Sequence, residues 1–152
     1  MNTTAKQTVP IVILLAEDNP ADVRLTREAL KSARMLNVLH HVADGMEAMD
    51  FLQRKGKYAE APRPHLVLLD LNMPRMGGRE VLTQIKSDQD LRAIPVVVLT
   101  TSKAEEDIVH SYNLHANAYV SKPVDLSKFL AVIKSFEEFW LAVVTLPPTA
   151  TA

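Results

Sequence analysis

The sequence contains no cysteine. A disulfide framework, a thiol nucleophile and a cysteine-ligated zinc site are thereby excluded. An excess of either charge is also missing. Seventeen Lys and Arg face eighteen Asp and Glu, for a formal net charge of −1, which disfavours a nucleic-acid surface built on bulk positive charge. Residues 1–9 are polar with a lone Lys6 and lack the apolar core of a signal peptide. Later apolar runs are too short to span a bilayer. A cytoplasmic location, with no membrane and no nucleic-acid partner, is the expectation. The chain shows no internal sequence repeat and no low-complexity linker. Its 152 residues suffice for one domain with a real core and are too few for two ordinary ones.

What is present is an alternation. Ile11 to Ala16, Leu66 to Leu69 and Pro95 to Leu99 are short, nearly continuous aliphatic runs. Such runs, bounded by turn residues, read as strands buried on both faces. Asn37 to Val42 and Ala118 to Val120 read as two shorter strands. Between them lie helix signals. Asn19 is a good N-cap and Pro20 suits the first helical position. The helix after them carries Val23, Leu25, Leu30 and Ala33. Asp44, with Glu47 three residues on, makes a capping-box pattern before Met46, Met49, Phe51 and Leu52. Lys55 to Pro64 is a polar loop, long for an α/β connection. Gly78 to Ser87 should be helical with Val81, Leu82 and Ile85 inward. Ser102 and Glu105 open a helix to about Leu114, and Asp125 caps a last one to about Leu141. Alternating β and α elements demand parallel strands with right-handed crossovers. The economical solution is α/β, one doubly wound, five-stranded parallel sheet in the order 2-1-3-4-5.

In such a sheet, chemistry gathers at the C-terminal strand ends, in the crevice where the strand order reverses. Glu17 and Asp18 follow the first strand, and Asp70 ends the third, with Asn72 just beyond. Taken alone, Asp70 reads equally well as a turn or capping residue. Three carboxylates converging between neighbouring strands would repel one another. A hard divalent cation resolves this, and oxygen ligands without sulfur suit magnesium, with Mn2+ or Ca2+ able to substitute. Thr100 ends the fourth strand and Lys122 follows the fifth. Singly, Thr100 could be a strand-end turn residue and Lys122 a plain ion-pair partner of Asp70. Together they make sense if Asp70 is a nucleophile that gains phosphoryl oxygens.

Glu17-Asp18, Asp70, Thr100 and Lys122-Pro123, in this order between these strands, resemble the receiver domain of two-component response regulators. The resemblance runs from about Ile11 to Ile133. It implies a flavodoxin-like, CheY-like (βα)5 fold and phosphoryl transfer from a histidine kinase to Asp70. It implies magnesium held by Asp18, Asp70 and the Asn72 carbonyl, with Glu17 reaching it through water. It also implies a switch pair, Thr100 and Tyr119, and a cis bond before Pro123. On this reading the protein turns over no outside substrate. It catalyses only its own phosphotransfer and dephosphorylation.

The end of the chain holds more apolar surface than one buried helical stripe needs. Phe136, Phe139, Trp140 and Leu141 belong to this surplus, which either folds back on its own domain or meets a partner. Phe139-Trp140-Leu141 with Val144-Thr145-Leu146-Pro147 resembles the C-terminal extension of the single-domain cyanobacterial phytochrome response regulators, and the loop from Lys55 to Pro64 also fits that group. That narrower likeness implies a phytochrome-type kinase as partner. It also implies a homodimer through the fourth helix, fifth strand, fifth helix and extension. The expected organisation is a flexible stretch over 1–9, a receiver over 10–135 and a dimerising extension over 136–152. The five histidines are scattered with no metal-ligand spacing at a strand edge and read as surface or boundary residues. Met73 and Met76 read as packing.

Three rivals remain. A haloacid-dehalogenase-type phosphatase needs a second acid two residues after its nucleophile, and Asn72 stands there. A flavodoxin-like flavin carrier needs a phosphate cradle in its first loop, where Glu17 and Asp18 would repel phosphate. A receiver without phosphotransfer, acting only as a dimerisation module, would not need the complete site.

Overall fold

The computed structural model describes residues 10–33, 36–100, 116, 118–121, 127, 131, 132, 134 and 135. Five parallel strands form one sheet: β1 (Ile11–Ala16), β2 (Asn37–Val42), β3 (Leu66–Asp70), β4 (Val96–Thr100) and β5 (Ala118–Ser121). Their order is β2-β1-β3-β4-β5, as the alternation predicted. Three described helices connect them, namely α1 (Pro20–Lys31), α2 (Gly45–Gln53) and α3 (Gly78–Ser87). The helix expected from Ser102, most of the last helix, Lys122, Pro123 and Phe136 to Leu141 lie outside the described residues.

The central strands take their aliphatic composition from their position. Every residue of β3 and of β4 is buried. One face of the sheet packs Leu14, Val67, Leu69, Val96 and Val98 against Ala48, Met49, Phe51 and Leu52 of α2 and Val81, Leu82 and Ile85 of α3. The other packs Ile13, Leu15, Leu66, Leu68 and Leu99 against Ala29 and Leu30 of α1, and Val132 joins this side. Each aliphatic side chain so buried contributes about 1.5–3 kcal/mol. The sheet is therefore a stiff platform, and its C-terminal edge is the place for groups that must hold position.

The helix starts follow their local chemistry. Asn19 Oδ1 accepts from the N–H groups of Ala21 and Asp22, and Pro20 opens α1. Asp44 accepts from the N–H of Glu47 at the start of α2. The rest of the expected capping box is replaced, because Glu47 Oε1 instead accepts from the Tyr58 hydroxyl at 2.7 Å. Of the apolar residues expected for α1, Val23, Leu30 and Ala33 do reach the core. Leu25 is 44% exposed, while Thr26 and Ala29 are buried. Thr26 is tolerated there because its hydroxyl donates to the carbonyl of Asp22, which removes the cost of burying it.

Candidate functional site

The registers of the ladders bring the site together. In the β1–β3 pair, Ala16 lies opposite Leu69. Glu17 therefore follows β1 at the level where Asp70 closes β3. In the β3–β4 pair, Asp70 lies opposite Leu99, so Thr100 stands one residue further along the same edge. In the β4–β5 pair, Thr100 faces Ser121, the residue before Lys122 in the sequence.

The turn after β1 is tied at each residue. The Glu17 N–H continues the ladder by donating to Val42 O at 3.0 Å. The Glu17 carbonyl lies 2.7 Å from Nε2 of His41. A carbonyl can only accept, so that ring nitrogen carries the proton. The Glu17 side chain is fully buried, and its Oε2 accepts from the Asn19 N–H. Asp18 sits on the exposed rim. Asp70 is 1% exposed, and its Oδ1 accepts from the Asn72 N–H at 3.1 Å.

One carboxylate oxygen from each of Glu17, Asp18 and Asp70 lies within 4.8 Å of the others. Ligands of one octahedral magnesium ion, at about 2.1 Å from it, sit roughly 3–4 Å apart. The three acids are close to that spacing. Their donor chemistry, oxygen alone and negative, fits a hard divalent cation. Glu17 and Asp70 are held on buried strand ends, where charges that approach one another are poorly screened.

Thr100 is 1% exposed at the end of β4. Tyr119 in β5 is partly buried against the α2–α3 side of the core, in register with Val98. Asn72 is exposed on the loop after β3. Met73 and Met76 pack against the same core, as expected. Lys122 belongs to the residues not described.

Two features escaped the sequence reading. His41 is exposed, in keeping with a surface or boundary residue, yet its ring also braces the carbonyl of a proposed site residue. Arg75, which carried no expectation, pairs with Asp44 across 31 positions. Neither leaves a local signal, because each partner is supplied by a distant element. His65 does behave as a boundary residue. Its Nδ1 accepts from the Val12 N–H, and burial, then Arg63, lowers its pKa.

The model of the response regulator receiver domain matches residues 13–134. The chain belongs to that family. It is 51% identical over 138 residues to the response regulator Rcp1 of Synechocystis sp., with 91% of this chain and 94% of Rcp1 covered. Among solved structures, it resembles the phosphorylated cyanobacterial phytochrome response regulator RcpA. That match has 52% identity and a TM-score of 0.76, covering 92% of this chain and all of the other. It also resembles the Mn2+-bound form of Rcp1, at 50% identity and a TM-score of 0.75, covering 91% of this chain and all of the other. The receiver is thus a signalling protein of the two-component type with the CheY-like fold. No helix among the described residues is long and apolar enough to cross a membrane.

Proposed function

We propose that Asp70 is the phosphoryl acceptor of this receiver and that the donor is the phosphohistidine of a phytochrome-type histidine kinase. The observation that carries the reading is the buried Asp70 carboxylate within 4.8 Å of Glu17 and Asp18 at the ends of two adjacent strands. The phytochrome part rests on the likeness to RcpA and Rcp1.

In the transfer, an Asp70 carboxylate oxygen forms a bond to phosphorus while the phosphorus–nitrogen bond to the donor imidazole breaks. The leaving nitrogen keeps the electron pair and is protonated. Asp18, Asp70 and the Asn72 carbonyl would hold a magnesium ion, with Glu17 acting through water. Once bound, the ion supplies charge neutralisation for the phosphoryl oxygens. The chain's own part is positioning. Burial of Leu66 to Leu69 fixes the nucleophile, and the Asn72 N–H on Oδ1 orients the carboxylate. Lys122 pairs with the phosphoryl oxygens.

Phosphorylation adds roughly one negative charge and strong acceptor oxygens. Thr100 then donates to the phosphoryl group and Tyr119 moves inward, which biases the loops after β4 and β5 toward one arrangement. The receiver spans residues 10–135. Residues 136–152 extend the last helix, and Phe136, Phe139, Trp140 and Leu141 form a homodimer contact. The protein works in the cytoplasm and takes no nucleic acid.

Incubation with acetyl phosphate and magnesium, read by intact mass, tests the acceptor. One phosphoryl group is expected on the wild type, none on Asp70→Asn, and none without magnesium. No adduct from acetyl phosphate or from a phosphorylated histidine kinase would refute the assignment. For the extension, light scattering should show a concentration-dependent dimer that truncation after Ser135 weakens.

A further inference from the structure

The loop between β3 and α3, residues 71–77, must leave the acceptor aspartate, present Asn72 and enter α3 at Gly78. It has no regular hydrogen-bonding ladder of its own, and Asn72, Pro74 and Arg75 are exposed. Asn72 is tied to Asp70 and Gly78 to Leu71, and the middle of the loop is held from the N-terminus of α2. The Arg75 guanidinium grips the carboxylate of Asp44 with two donors, Nε to Oδ2 at 3.0 Å and Nη2 to Oδ1 at 3.2 Å. Next to this pair, the Gly45 N–H donates to Met76 O at 3.0 Å.

That approach is so close that a Cβ on Gly45 would overlap the Met76 carbonyl and lie 2.8 Å from the Met76 Cβ. Arg75 has φ of 66°, in the left-handed region that residues other than glycine avoid. A disfavoured backbone conformation persists only where its surroundings over-determine it. Here they do. The fork geometry of guanidinium on carboxylate fixes both partners in direction as well as distance.

Asp44 is a firm anchor. It is 8% exposed and caps α2 through the Glu47 N–H at 2.8 Å. Burial alone would raise its pKa, but the Glu47 N–H and Arg75 outweigh burial and hold the carboxyl below its usual range. Behind it, Ala48, Met49, Phe51 and Leu52 lock α2 to the sheet. The chain of support runs from core to α2, to Asp44, to Arg75 and so to the loop that carries Asn72.

We infer that the Asp44–Arg75 pair is a positioning clamp, which sets the Asn72 carbonyl for the divalent cation and thereby tunes cation affinity at the acidic cluster. The inference rests on the proposed acceptor site. Neither residue belongs to the acidic cluster, so both act through the loop. A side chain that merely stabilised the fold would change the melting temperature and leave the affinity of the folded protein intact. A clamp on a ligand-bearing loop changes the affinity first.

The test uses the full chain and magnesium alone as probe. Magnesium binding is measured by titration calorimetry, and acetyl phosphate uptake is followed as a function of magnesium. Arg75→Ala should raise both the magnesium Kd and the half-saturating magnesium concentration about tenfold, the range found when groups supporting metal ligands are removed. Uptake at saturating magnesium should stay within about twofold, since Asp70 and the acids are untouched.

Asp44→Asn keeps an α2 cap, because asparagine caps as well as aspartate, and should reproduce the weakened binding. Arg75→Lys should recover part of it, a single ammonium replacing a fork. The double variant should be no worse than either single one. Wild-type magnesium affinity in both Arg75→Ala and Asp44→Asn would overturn the clamp, as would a loss explained wholly by a smaller folded fraction. If the wild type itself bound no magnesium and accepted no phosphoryl group, the acceptor reading would fail instead.

Discussion

The carbonyl of Asp70 occupies the space that a side chain on Gly78 would need. A Cβ there would overlap that oxygen and lie 2.7 Å from Leu71 Cα, both of them backbone atoms. The Gly78 N–H meanwhile donates to Leu71 O at 3.0 Å. The start of α3 is thus pressed directly against the strand end that carries Asp70. Gly78→Ala should cost about 2 kcal/mol, the scale of overpacking a filled site. It should also impair phosphoryl uptake, because backbone must move and that backbone belongs to Asp70. Urea unfolding and intact mass measure the two effects, and an alanine variant with wild-type values in both would contradict this close packing.

The acidic cluster makes a metal-dependent prediction. Asp18 is the exposed member of the three, so its loss leaves the buried packing alone. Asp18→Asn should weaken magnesium binding by about tenfold or more, the scale seen even for outer supporting groups. Its melting temperature without magnesium should hold or rise, since one repelling charge is gone. Added magnesium should raise the wild-type melting temperature and raise that of the variant less. Equal responses in the two proteins would remove Asp18 from the site.

Acid stability depends on Asp44. Its folded pKa lies below the unfolded value, because the Glu47 N–H and Arg75 favour the charged form against the opposing effect of burial. Its contribution is therefore complete above about pH 4, the ordinary carboxylate range. It is lost as pH falls through the lowered folded value. Asp44→Asn should be less stable than the wild type at neutral pH, and its stability should fall less steeply below about pH 4. Chemical unfolding at a series of pH values compares the slopes. Parallel slopes would show that Asp44 does not titrate with folding.

Tyr58 has the opposite sign at the other end of the scale. Burial, and then the Glu47 carboxylate that accepts its hydroxyl at 2.7 Å, push its pKa up to about 12. The hydrogen bond contributes while the phenol is protonated. Its stabilisation is thus complete below about pH 10, the unfolded value, and is lost as pH rises through about 12. Phenolate absorbance should show Tyr58 titrating late, above the ordinary tyrosine range. Tyr58→Phe should abolish that phase and cost about 1 kcal/mol at neutral pH. Persistence of the late phase in Tyr58→Phe would assign it to another tyrosine.

Much of this architecture was legible in the chain because its causes are local or nearly so. Aliphatic runs long enough for one strand, flanked by turn residues and alternating with helix signals, read as strands of a doubly wound parallel sheet, whose common order is the one observed. Asn19-Pro20 and Asp44 announced helix starts because a cap needs only its next few residues. The acids at 17, 18 and 70 could be placed on one edge once the order was known, since a parallel register carries strand ends together.

Tertiary structure alone decided the rest. Thr26 can join the buried side of α1 because its hydroxyl finds the Asp22 carbonyl, while Leu25 is left exposed. Glu47 chose Tyr58 over its own helix end because the 55–64 loop folds back upon it. His41 reached the Glu17 carbonyl, and Arg75 reached Asp44, across 24 and 31 positions of chain. Hydrophobic pattern and capping act over one turn or one strand, and sequence displays them. A hydrogen bond between side chains on separate loops exists only after the core has set the distance between those loops.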